Sequence, residues 1–398
     1  MTNQPRRALA VIAVSQLLVL TVWFSASAVT PQLQIAWTLS TSEVAWLTLA
    51  VQLGFVVGAF TLAVLNTSDV TPTRTLFAWA GSVAVLANAA LVFVSAPAPA
   101  IVLRFVTGAA LAGVYPSGLK AMAGWFQAGR GKALGVLVGA LTIGSATPHL
   151  IRGLGFEWRG VVLVASGLAA LGTIAMRWLV EDGPFEPPVA QFSWRHITRV
   201  VTNQGYRLST IGYLGHMWEL YAMWTWVALF VGASAEASGR SYGPVPVIAF
   251  AIIAIGGPAA WWAGRLSDRY GRTRVAGTAM AISGSCALAS PLIFGTSPLL
   301  AIPVLLVWGA AVVADSAQFS TMVTETTHDD VRGTALTLQT ALGFSLTMVT
   351  IRLIPEIADM STWQWAFPVL ALGPAAGVAA MVRLKRSAAS STLAGGIG

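Results

Sequence analysis

Gly264-Arg265-Leu266-Ser267-Asp268-Arg269-Tyr270-Gly271-Arg272-Thr273-Arg274 places four arginines and an aspartate between two long apolar runs. That density of charge cannot lie in hydrocarbon, so the stretch reads as a tight aqueous turn joining two membrane-crossing helices. It sets the register in which the rest of the chain is read.

On either side the chain stays apolar. Hydrophobic residues make up 56% and charged residues 10% of 398 positions, whereas soluble proteins carry about a quarter charged residues. A crossing takes about 20 apolar residues, and twelve runs of that kind fit, at 8–30, 43–65, 75–95, 99–120, 131–151, 158–180, 208–232, 245–264, 275–296, 298–320, 333–354 and 363–382. The net charge of +8 therefore calls for no nucleic acid. With the N-terminus inside, only Arg104, Arg152, Arg159, Arg240 and Arg352 fall away from the cytoplasmic ends and loops, and this positive-inside bias puts both termini in the cytoplasm. Arg6-Arg7 and the apolar run ending at Ser25-Ala26-Ser27-Ala28 imitate a cleavable secretion signal. Bulky Trp23 and Phe24 at the junction, and the need for a first helix in the repeat, argue for retention. Cys286 is the single cysteine, so no intramolecular disulfide forms.

The halves echo one another. Arg130-Gly131-Lys132-Ala133-Leu134 is answered 202 positions on by Arg332-Gly333-Thr334-Ala335-Leu336, and Asp69 is answered 199 positions on by Asp268. Parallel repeats of this kind build transporters from two helical lobes. The longest polar connection, 181–207, sets Phe192, Trp194, Ile197 and Val201 at helical spacing among Arg195 and Arg199, as an amphipathic surface helix that tethers the lobes.

The opening stretch resembles the loop signature Gly-x-x-x-Asp-Arg-x-Gly-Arg-x-Arg of the major facilitator superfamily. Arg104 to Gly108 resembles that family's fourth-span Arg-x-x-x-Gly, and Trp158-Arg159 resembles the pair opening its sixth span. The overall pattern also resembles, more weakly, the bacterial nitrate/nitrite porter branch, without its glycine- and asparagine-rich fifth- and eleventh-span signatures. The resemblance implies an all-α integral membrane protein of twelve transmembrane helices in two pseudo-symmetric six-helix bundles. It would comprise an N-terminal bundle (1–180), a cytoplasmic linker (181–207) and a C-terminal bundle with a short tail (208–398), acting as a monomer in a bacterial-type inner membrane. It implies that spans one, four, seven and ten line a central cavity, and that Asp268, Arg269 and Arg272 gate it from the cytoplasm. In the first half this signature keeps only Asp69 and Arg74. It further implies that the second span meets the eleventh and the fifth meets the eighth, which makes Gly54, Gly58, Gly135, Gly139, Gly256, Gly257 and Gly343 surfaces for packing and rocking.

Charges inside spans are functional candidates. Arg104 lies in the fourth run, His216 and Glu219 in the seventh and Asp315 in the tenth, while the first contributes Gln16, Trp23 and Ser25. His216 and Glu219, three apart, share a helix face, and counting about 1.5 Å per residue puts Glu219 about 16 Å deep. A carboxylate there takes either a proton or a counter-ion. The resulting expectation is that Arg104 attracts an anionic substrate group, Glu219 carries the proton and His216 holds the carboxylate. An internal ion pair remains the structural alternative for Arg104. Asp315, near the end of its run, reads as a gate or helix-end residue. Trp23, Trp218 and Tyr221 offer aromatic faces to a substrate body, and Gln16 offers an amide.

No Gly-x4-Gly-Lys-Ser/Thr phosphate loop, metal-spaced histidine cluster or Gly-x-Ser-x-Gly elbow occurs. The chain is therefore expected to use no cofactor and no metal, to catalyse no reaction, and to carry a small anion with protons. A proton-coupled exporter is the alternative. Its fifth-span Gly-Pro-x-x-Gly-Gly pattern is matched only by the differently spaced Gly144 and Pro148. A membrane enzyme or receptor would need a catalytic cluster or a signalling domain.

Overall fold

The computed structural model describes residues 4–67, 71–126, 130–185 and 193–398, with 130–132 described as backbone only. Asp69 and Phe192 lie outside the described residues. The chain divides into two compact units, Met1–Pro188 and Val189–Gly398. Among the described residues, ten helical segments are long and apolar enough to cross a membrane. The first and seventh expected runs are helical but fall short of that test. Both are the runs that carry the most polar side chains of interest.

In the first unit, α1 (Gln4–Leu20) stops mid-run, and two short helices follow, α2 (Ser25–Ala28) and α3 (Thr30–Trp37). The expected continuous 8–30 span is therefore broken at 21–24. Next come α4 (Thr41–Val64), α5 (Thr73–Ala90), α6 (Pro97–Trp125), α7 (Arg130–Gly153) and α8 (Trp158–Leu179). α4 starts where it does because Ser40 and Glu43 form a reciprocal capping box, Ser40 N–H donating to Glu43 Oε2 at 2.9 Å. α4 and α5 both pack along α6, and α1 packs against α7 and α8.

The α4–α6 contact is set by glycines. A Cβ on Gly54 would sit 2.0 Å from the Phe105 carbonyl oxygen, and one on Gly108 would sit 2.0 Å from that of Val51. Gly54 and Gly58 thus seat the second span on the fourth, inside one unit. Close backbone approach through small residues is how helices gain packing in lipid. Gly54→Leu is expected to destabilise the purified protein by about 1–3 kcal/mol or more, read as a lower thermal midpoint. Gly167→Leu, where a Cβ meets nothing within 4 Å, should leave the midpoint unchanged.

The second unit opens with α9 (Ile197–Thr202). Its buried residue is Val200, with Tyr206, Val323, Val331 and Ala335 around it. Val201 and Trp194 are exposed, so the apolar face sits one residue from where the spacing placed it. Arg199 donates to Asp330 at 2.7 Å, and this bond holds the Asp330 carboxyl below its ordinary range. α10 (Gln204–Ser238) begins at an Asn203 cap and, at 35 residues, is about 52 Å long. After it come α11 (Val245–Ala254), α12 (Gly256–Tyr270), α13 (Arg272–Ile293), α14 (Pro298–Ala314), α15 (Ser316–Thr326), α16 (Arg332–Met360) and α17 (Leu372–Lys385). α10 packs on α16 and α17, and α13 packs on α14 and α17. The two echoed Arg-Gly sequences both open long helices, α7 and α16.

The opening stretch is helical up to Tyr270. Its turn is one residue, Gly271, at φ +93°, after which α13 begins. Only glycine adopts that conformation without strain.

Candidate functional site

In the first unit the site is built on the interruption of the first span. Residues 21–24 leave the helical path inside a buried region, so the carbonyls of Val22 and Trp23 lack helical partners and need donors from elsewhere. Arg104, fully buried on α6, supplies them. Its Nη1 donates to the Val22 carbonyl at 2.9 Å and to Asn88 Oδ1 at 3.0 Å, its Nε donates to the Leu47 carbonyl at 3.3 Å, and its Nη2 donates to the Trp23 carbonyl. Asn88 is itself held by Ser25 at 2.7 Å and by Ser166 at 2.9 Å. One guanidinium on the fourth span therefore ties down the first, second and third. Its partners are neutral. Among the described residues it has no carboxylate partner.

The first unit also buries polar groups that have nothing to bond among the described residues. Gln16, Gln52 and His149 are fully buried, and among the described residues both amide atoms of each glutamine and both ring nitrogens of His149 have no hydrogen-bond partner. Gly118 makes room for Gln16, whose Oε1 sits 2.0 Å from where a Cβ would stand. Buried polar atoms left this way mark strain, water or a ligand. Trp23 packs its ring against Phe55 at 5.0 Å between centroids.

The second unit holds the carboxylates. Glu219, 1% exposed, accepts from Trp308 Nε1 at 2.6 Å on one oxygen and from the Ser283 hydroxyl at 2.8 Å on the other. Both donors are neutral. His216 does not hold Glu219, as the shared face suggested. Its Nδ1 stands 2.8 Å from Asp315 Oδ1, off the N–H axis, and its ring lies 5.8 Å from that of Phe319. Asp315 is 2% exposed and marks the one-residue break between α14 and α15. It stands at a helix end, as its place in the run suggested, and there it is a buried partner of His216. Trp218 donates to the Val369 carbonyl at 3.0 Å and packs on Gly373. Tyr221 packs between Trp224 and Phe344.

At the signature turn, Arg272 clasps Glu325 through both Nε and Nη2 at 2.7–2.9 Å, whereas its approach to Asp268 is a marginal 3.4 Å. The Arg269 guanidinium lies over the Tyr270 ring at 5.2 Å. Glu325 also accepts from the Ala394 N–H at 3.1 Å and lies 53 positions beyond Arg272, outside the signature.

A family model described as the Major Facilitator Superfamily matches residues 12–351. The chain belongs to that superfamily. Its fold is accordingly the superfamily's twelve-helix, two-bundle architecture, with the broken first run and the polar seventh completing the ten apolar spans, and it is a multi-pass membrane transporter and not an enzyme. Among solved structures, a mutant of the nucleoside transporter NupG is similar at TM-score 0.70 and 14% identity, over 96% of this chain and 100% of that one. The proton:xylose symporter XylE bound to 6-bromo-6-deoxy-D-glucose is similar at TM-score 0.72 and 15% identity, over 97% and 96%. Among curated proteins none matches in sequence.

For this superfamily member, the residues missed by sequence reading are Asn88, Gln52, Ser283, Trp308 and Glu325. Gln52 carried a signal, an amide in the middle of an apolar run. Ser283 and Trp308 carried none, because serine and tryptophan in a span are commonplace until a carboxylate is seen between them.

Proposed function

We propose that the chain is a proton-coupled secondary transporter that imports a small anionic solute by alternating access, with Glu219 as the proton carrier. The observation that carries the reading is that Glu219 is buried against two neutral donors and has no ion-pair partner among the described residues. Such a carboxyl can exist in either protonation state. Ser283 Oγ lies 2.8 Å from Glu219 and 3.2 Å from the Met280 carbonyl, so its one proton has two acceptors. When that proton turns to Met280, a proton on Glu219 fills the vacated contact without movement of heavy atoms. His216 and Asp315 form a second proton-accepting pair on the same helical neighbourhood.

The negative charge of the solute is supported by Arg104, a buried cation balanced only by carbonyl and amide dipoles. Its donors are occupied, so it acts as a source of positive potential, while Gln16, Gln52 and His149 offer the free hydrogen bonds. A neutral, hydroxyl-rich solute is the second reading. It is favoured by those same unpaired amides and by the Arg104 donors being committed elsewhere. A nucleoside transporter and a proton:xylose symporter share the fold. A cytoplasmic location for both termini, a bacterial-type inner membrane, a functional monomer, gating by Arg272 and Asp268, and the nitrate/nitrite branch belong to the same proposal.

Proteoliposomes with an imposed pH gradient test it. Anion uptake driven by external acid is the expected result, and it should be inhibited by other anions but not by sugars or nucleosides. Uptake of neutral solutes alone would replace the anion by the second reading. Accumulation driven by the reversed gradient would identify an exporter.

A further inference from the structure

On the second unit, a groove of about 710 Å³ runs between α13, α14 and α17. Its floor is a row of small residues four apart on α13, Gly277, Ala281, Ser285 and Ala289, and its walls are apolar, with Val304 on one side and Val378, Met381 and Val382 on the other. Ile282 and Val382 are 43% and 44% exposed, which in a membrane-spanning helix means exposure to lipid.

The groove has a charged end. A Cβ on Gly277 would meet Met381 and one on Gly284 would meet Pro374, so α13 and α17 run antiparallel, seven residues up one matching seven down the other. Continuing that register three residues puts Arg274 level with Leu384 and Lys385. Both cations line the groove and are exposed, and neither has an ion-pair partner among the described residues. From Arg274 to Ala289 the row extends about 22 Å along α13, more than the about 15 Å depth of one leaflet's hydrocarbon. We propose that this groove is a binding site for one anionic phospholipid, with the phosphate between Arg274 and Lys385 and an acyl chain over Ala281 and Ser285.

The physical reasons are complementary. A chain lying over alanine and serine fills a furrow that flanking helices leave open, gaining van der Waals contact. Two cations at the interface attract a negative headgroup and not a zwitterionic one.

The test uses the full chain, purified in detergent and stripped of lipid, then mixed with micelles containing either phosphatidylglycerol or phosphatidylcholine. The readouts are lipid retained per chain by mass spectrometry and the thermal midpoint. Phosphatidylglycerol should be retained and raise the midpoint, and phosphatidylcholine should do neither. Combining Arg274→Gln with Lys385→Gln should cut phosphatidylglycerol retention about thirtyfold. Combining Ala281→Leu with Ser285→Leu keeps both cations but fills the furrow, and it should also abolish the midpoint gain. Undiminished retention in the charge variant, equal retention of both lipids, or an equal midpoint gain from soluble glycerol 3-phosphate would each overturn the assignment.

Discussion

Glu219→Gln is expected to yield a folded transporter that still exchanges labelled solute across the membrane but no longer concentrates it when a pH gradient is imposed. The amide matches the carboxyl in shape and keeps an acceptor for Trp308 Nε1, while its NH2 group replaces the accepting contact to Ser283 by a donating one. What it loses is the capacity to take and release a proton. With that capacity gone, solute equilibrates and the internal concentration never exceeds the external one. Undiminished accumulation in the variant removes Glu219 from proton coupling and moves attention to His216 and Asp315, whose contact at 2.8 Å is a second buried ionisable site in that unit. Asp315→Asn, which leaves His216 without a charged partner, separates the two cases.

The second large effect is expected at Arg104. Lysine keeps the charge but presents its donors from one point, and cannot reach acceptors on three neighbouring spans at once. The Trp23 carbonyl would lose its Arg104 donor, and the Val22 carbonyl and Asn88 Oδ1 would be left to share the single Ser25 proton, at about 1–3 kcal/mol for each acceptor left unmet. Arg104→Lys should therefore lower the thermal midpoint strongly while changing the solute affinity of the surviving folded fraction little. If Arg104 instead touches the solute, the signs reverse: stability is kept and affinity for the anion falls.

These two residues also show how far the sequence could be read. Arg104, Glu219, His216 and Asp315 were visible because an ionisable group in an apolar run is conspicuous wherever it points. Their pairings were not visible. Spacing along α10 puts His216 beside Glu219, yet each turns to a residue on another helix, because a side chain's partner depends on how helices are rotated about their axes. The same limit applies to Gly54 and Gly58, legible as contact points but not as contacts with α6. It applies again to Arg272, whose acceptor Glu325 lies outside the signature that drew attention to it.

The sequence alone determined the membrane, the number of crossings and the doubled plan, because length, hydropathy and charge placement act locally and need no knowledge of neighbours. Only the tertiary structure decided that the first span breaks at 21–24. A broken helix is tolerable in a buried region only if another element brings donors to the freed carbonyls, and that donor, the Arg104 guanidinium, lies 82 residues from Val22 and 81 from Trp23 in the chain.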